Sequence, residues 1–131
     1  MKRYLTTKEI GDLGERYAVH YLRLHGYTVK ERNWFAGKCE IDIIASTMRD
    51  IAFVEVKTRT YAGDDWKDAP PPSLAVHQEK QRHTRVAAQQ YLYSHPTRKQ
   101  PRMDVIEVWL KKSPDGKHPK LLRIRHIKAA Y

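Results

Sequence analysis

Two hydrophobic periods divide this chain. From Ile10, apolar residues recur at Leu13, Tyr17, Ala18, Tyr21 and Leu22, the spacing of one helix face. Thr6 and Glu9 in "TTKE" have the spacing of a capping box ahead of that stripe, and Gly26 follows it as a stop signal. Gly14 lies within the stripe. A glycine in mid-helix costs roughly 1 kcal/mol relative to alanine, which points to close packing of this helix against a sheet. Glu15 lines up with Ala18 and Leu22 at i+3 and i+7, so it borders the buried face.

The period then changes to two. Strands are expected over 27–35, 39–45 and 51–58, with "AGK" and "STMRD" as the turns between them. Residues 60–72 have no periodicity and end in three prolines, so an exposed, flexible loop is expected. Ser73 reads as the N-cap of a second helix running to about residue 93. Its face is polar, with His77, Gln78, Lys80, Gln81, Arg82, His83 and Arg85. Two last strands, near 102–110 and 121–128, flank the turn signal in "SPDGKHP". The order α-β-β-β-α-β-β predicts an α/β fold, a sheet with helices on its faces, in one domain over 1–131.

Charge refines this picture. The net charge is +10. Cations and anions nearly balance as far as Ala75, and almost all of the excess follows Val76. A basic half of this kind attracts phosphate backbones through counterion release; a basic surface kept for solubility is the plainer explanation. No apolar run has the ~18 residues that a membrane span needs, and the first residues lack the pattern of a secretory signal. One cysteine, Cys39, forms no internal disulfide framework and no cysteine-ligated zinc site. A cytoplasmic protein without membrane contact is therefore expected.

The candidate chemistry lies in "EIDIIASTMRDIAFVEVKTR", residues 40–59. Strand alternation places Glu40, Asp42 and Ile44 on one face and Ile41, Ile43 and Ala45 on the other. In the next strand Phe53, Glu55 and Lys57 share a face opposite Val54 and Val56. Charges in so apolar a setting are costly unless paired or bound to a metal. Two carboxylates from adjacent strands make a hard oxygen site suited to Mg²⁺ or Mn²⁺. Lys57 points to the same place, where it could orient an attacking water or stabilise developing negative charge. Such a set is equipped for phosphodiester hydrolysis, and Glu15 could add a third acidic group from the helix. The alternative is a buried ion pair of Lys57 with Glu55 or Asp42 that only sets strand register.

The segments "GDLGERYAVHYLRLHGYTVKERNWFAGKCEIDIIA", "FVEVKTR" and "RMDVIEV" resemble the YraN-like family of predicted endonucleases, small bacterial proteins. That family is similar to the PD-(D/E)xK, restriction-endonuclease-like superfamily and, within it, to archaeal Holliday-junction resolvases. The resemblance implies a mixed central sheet flanked by helices, with a catalytic set at Glu15, Asp42, Glu55 and Lys57. It implies Asp42 and Glu55 as ligands of Mg²⁺ or Mn²⁺, with the Val56 carbonyl as an extra ligand. Ile41 stands where the superfamily label has proline, a position that carries no chemistry.

The function expected from the resemblance is cleavage of structured DNA by a metal-dependent endonuclease, with a homodimer implied by the resolvase likeness. The alternative is a nucleic-acid-binding accessory factor that keeps the fold without turnover. Arg59, Lys80, Arg82 and Arg85 are the candidate phosphate contacts. Asp104 fits the family pattern, but pairing with Arg102 or capping a sheet edge is the preferred reading. The seven histidines show no zinc-ligand spacing, and Trp34, Trp66 and Trp109 share no obvious face.

Overall fold

The computed structural model describes residues 5–72 and 78–131. Ser73 and His77 of the expected second helix lie outside the described residues. The elements are α1 (Thr7–Leu24), β1 (Thr28–Ala36), β2 (Cys39–Ser46), β3 (Asp50–Tyr61), α2 (Gln78–Ser94), β4 (Gln100–Lys111) and β5 (Lys120–Ile127), with a 3-10 turn at Asp65–Lys67. This is the expected α/β order, in one five-stranded sheet of order β1-β2-β3-β4-β5. All neighbours are antiparallel except β3 and β4, which run parallel and are joined through α2.

The capping box forms at the start of α1. Thr6 N–H donates to Glu9 Oε1 at 2.8 Å, and Glu9 N–H donates to Thr6 Oγ1 at 3.1 Å. Gly26, with φ +86°, then lets the chain turn out of the helix. At Gly14 the helix lies so close to β3 that an added Cβ would collide with the side chain of Thr58. The absence of a side chain at this position sets the depth of α1 on the sheet.

The two faces of the sheet carry separate clusters. Ala18, Leu22, Ile43, Val54, Ile106 and Val108 form the core with α1. Ile41, Ile44, Phe53, Ala87 and Tyr91 form the core with α2, which packs mainly on β1 and β2. Ile41 and Ile43 therefore belong to different clusters, against the alternation expected for β2. The break has a local cause: opposite Asp42, between the pairs Arg32↔Ile43 and Trp34↔Ile41, stands Asn33 at φ +50°. A residue in that conformation cannot continue a regular ladder, and asparagine tolerates it better than most.

Strand β3 also runs further than the apolar pattern implied. Residues 59–61 are polar yet pair with Trp109, Leu110 and Lys111 of β4. The ladder with a neighbouring strand, not the side-chain pattern, holds them in the sheet.

Candidate functional site

β2 and β3 pair only as far as Ile43↔Val54. Beyond that point β3 continues alongside β4, and β2 bends away with β1. The opened fork leaves the Val56 N–H without a strand partner on that side, and Asp42 Oδ2 accepts it at 2.8 Å. The N–H and C=O of one strand residue point to the same edge, so the Val56 carbonyl also faces the fork.

Glu55 enters the same place from β3, and its carboxyl interacts directly with that of Asp42. The two residues are only 8% and 4% exposed. Two carboxylates so close and so buried do not both ionise readily. Burial, then the Asp42 charge, push Glu55 up to about 8, against the pull of Lys80 and Lys57. Burial also raises Asp42, against the Val56 N–H and the same two lysines. Glu55 Oε2 is buried with no hydrogen-bond partner among the described residues.

Both helices reach this fork. From α1, half-buried Glu15 is pushed up to about 7, first by burial and then by the Asp42 charge, while its hydrogen bond from Asn33 and the charge of Arg32 oppose the shift. The Asn33 Nδ2 to Glu15 Oε1 distance is 3.1 Å. From α2, Lys80 Nζ stands 3.5 Å from Glu55 Oε1. Lys80, a candidate phosphate contact, thus also stands as a counter-charge beside Glu55. Arg59, Arg82 and Arg85 are exposed; Arg85 lies over the ring of Tyr131, 5.1 Å from its centroid.

Sequence reasoning missed Asn33 and Tyr131. Asparagine is a poor strand residue, so its presence in "ERNW" was the available signal; nothing marked Tyr131. Thr84 Oγ1 can give its one proton to the carbonyl of Lys80 or Gln81. Thr84 Oγ1 also shares a hydrogen bond of 2.6 Å with Tyr131 Oη, in which either hydroxyl can donate, and this contact braces the turn of α2 that carries Lys80.

Asp104 lies apart from this site, on the α1 side of the sheet. It is fully buried and bonded to Arg102 at 2.8 Å, to His126 Nε2 at 2.7 Å and to the Ala129 N–H at 2.9 Å. Arg102 extends the network to Asp50 at 2.8 Å and Tyr27 Oη at 2.6 Å. This is the pairing role preferred from the sequence.

Among the described residues no three His, Cys, Asp or Glu side chains stand together as a metal-binding group. The oxygens available to a hard cation are those of Asp42 and Glu55, including the orphaned Oε2, with the Val56 carbonyl beside them. That donor set is small but of the right chemistry.

The family described as "Uncharacterised protein family UPF0102" matches residues 14–108. The chain belongs to the UPF0102 family. A UPF0102 protein of Alkaliphilus oremlandii is 43% identical over 106 residues, covering 79% of this chain and 86% of its own. One from Bacteroides fragilis is 37% identical over 122 residues, covering 93% and 91%. The UPF0102 match begins at the glycine seated on Thr58 and includes Glu15, Asn33, Asp42, Glu55, Lys57 and Lys80. No helix among the described residues is long and apolar enough to cross a membrane.

Proposed function

We propose that this protein is a divalent-cation-dependent endonuclease of the PD-(D/E)xK type, as in the YraN-like proteins it resembles, acting on structured DNA such as branched or junction substrates. The observation that carries this reading is the pair of buried carboxylates, Asp42 and Glu55, brought together at the β2–β3 fork, with Glu55 Oε2 lacking a hydrogen-bond partner among the described residues. A protein core gains nothing from such a pair, since replacing it by apolar residues would remove the cost of burial. Asp42, Glu55 and the Val56 carbonyl would hold Mg²⁺ or Mn²⁺. Bound there, the ion would acidify a water and polarise a phosphoryl oxygen.

The remaining groups divide the work. The Val56 N–H fixes the Asp42 carboxylate in the fork. Lys57, whose charge acts on both carboxylates, orients the attacking water and stabilises the charge that develops on the phosphate. Glu15, pushed up to about 7, is poised to take up a proton at neutral pH. Paired cuts across a junction need two sites, so the proposal includes a homodimer, to be checked by light scattering.

One observation favours a second reading. Lys80 already compensates Glu55 from α2, so the cluster is partly satisfied without a metal, as in an accessory factor that binds nucleic acid but does not cut. A cleavage assay on linear, flapped and four-way DNA with Mg²⁺ or Mn²⁺ separates the two. Cutting by the wild type that both Asp42→Ala and Lys57→Ala lose supports the nuclease. Salt-sensitive binding without cutting on any substrate leaves the accessory factor.

A further inference from the structure

The side of the sheet that carries Glu55 and Lys57 does not end at β3. In register, Lys57 stands beside Glu107 of β4 and then Arg125 of β5. One row further, Arg59 stands beside Trp109 and then Arg123. Val108 and Ile124 point into the α1 core, so their neighbours in these rows face the opposite side, the side of Glu55. Helix α2 packs mainly on β1 and β2, and at β4 and β5 the segment after β3 takes its place. Trp66, Lys67, Ala69 and Pro71 lie over Trp109, Arg123 and Arg125, enclosing a half-open cleft of about 180 Å³. Trp66 and Trp109, which shared no face in the sequence, line one cleft.

The chemistry of this cleft is one-sided. Arg123 stacks on Trp109 with its guanidinium 5.1 Å from the ring centroid, and Lys67 lies 5.8 Å from that of Trp66. Arg125 is 3.5 Å from the buried Glu107 carboxylate and remains half-exposed. Glu107 is fully buried beneath this pair, so the groups offered to solvent are cations and the indole of Trp66. β5 lies two strand spacings, about 10 Å, from β3, and the Trp109–Arg123 row lies four residues, about 13 Å, along β3 from Glu55, so the cleft lies beyond the fork on the same surface.

From these observations we infer that the cleft between Trp66–Pro71 and β4–β5 guides one unpaired DNA strand as it leaves the Asp42–Glu55 site. Lys67, Arg123 and Arg125 contact its phosphates, and Trp66 stacks on a base. Cations tracking a backbone, with aromatic rings for the bases, are the combination by which single strands are held without sequence preference. The inference rests on the nuclease reading for the direction of the strand, and it narrows the substrate class to branched DNA with a single-stranded arm.

The test is binding in the presence of a chelator, so that it does not depend on cutting. A short labelled single-stranded oligodeoxynucleotide and a blunt duplex of the same sequence are titrated against the full chain. The variants are the wild type, Lys67→Ala/Arg123→Ala and Trp66→Ala. Arg125 is left in place because it compensates Glu107, and circular dichroism checks that each variant is folded. The wild type should prefer the single strand. The double variant should weaken that binding about tenfold or more and lower its salt slope by about 1.4, at about 0.7 per phosphate contact. Trp66→Ala should weaken it roughly fivefold or more, and duplex binding should change little in either variant. Equal wild-type affinity for duplex and single strand, or unchanged single-strand binding in the folded variants, overturns the inference. If no substrate is ever cut but these binding losses occur, the cleft stands and the nuclease reading falls. If flapped DNA is cut and the double variant keeps its KM, the cleft falls and the nuclease reading stands.

Discussion

Val56 gives its backbone N–H to the Asp42 carboxylate, 2.8 Å away, at the point where β2 stops pairing with β3. A side chain has taken the place of a strand. That substitution draws Asp42 into the plane of the sheet, beside Glu55, and ties the chemistry of the fork to its backbone geometry.

The first consequence concerns pH. Glu55 is raised to about 8 from an ordinary carboxylate value of 4.5. A group whose folded pKa is raised stabilises the fold fully below its unfolded pKa, and that contribution is lost as pH rises through the folded pKa. Without divalent ions, stability should therefore fall between about pH 4.5 and pH 8. Glu55→Gln should flatten this decline and raise stability at pH 8 by on the order of 2 kcal/mol. Urea unfolding at several pH values checks it. A wild-type curve that is level over this window would contradict the raised Glu55.

Cation binding should carry the opposite pH signature. An ion at the fork needs both carboxylates ionised, so affinity for Mn²⁺ should rise towards pH 8 and binding near pH 6.5 should release about one proton. Calorimetry in two buffers of different ionisation enthalpy counts that proton. Asp42→Asn and Glu55→Gln should each weaken binding by at least roughly tenfold. Binding that neither variant alters would place the ion elsewhere.

Asp104 should behave as a structural residue. Burial pushes its carboxyl up, but the bonds from His126, Arg102 and the Ala129 N–H together hold it below the ordinary range. A depressed carboxylate stabilises the fold above its unfolded pKa and loses that contribution as pH falls through the folded one. Asp104→Ala leaves Arg102 partly uncompensated and should cost about 3–5 kcal/mol at neutral pH. The deficit should shrink below pH 4. Mn²⁺ affinity of the folded variant should match the wild type, and a large loss of it would assign Asp104 to the site.

The seat of α1 can be probed at one atom. Gly14→Ala brings a methyl group against the Thr58 side chain and should destabilise by about 1–3 kcal/mol through overpacking. Thr58→Ala removes the obstacle, so the double variant should recover part of the loss. Thermal unfolding of the four proteins in this cycle checks the coupling, and strictly additive effects would deny the contact.

The sequence made much of this legible where local physics decides structure. The Thr6–Glu9 capping box and the stripe from Ile10 to Leu22 are self-contained within a few residues, and they mark α1 correctly. Gly14 announced the close contact but not its partner, because Thr58 is distant in the chain. Glu55 and Lys57 could be placed on one face from alternation alone. Alternation failed at Asp42, where Asn33 of the neighbouring strand breaks the ladder; a single strand read by itself carries no trace of its neighbour's conformation. Lys80 looked like part of a solvated face because its partner, Glu55, comes from another element. The end of β3 and the cleft under Trp66 were hidden for the same reason, since polar residues there are held by β4 and β5.

Because the fork lies in the plane of the sheet, it is open to influence from both sides. Glu15, held by Asn33, couples to the Asp42 charge from the α1 side, and Lys80 acts on both carboxylates from the α2 side. Charge can be adjusted on either helix without rebuilding the other, so one pair of carboxylates has two separate tuning inputs that meet only at the fork.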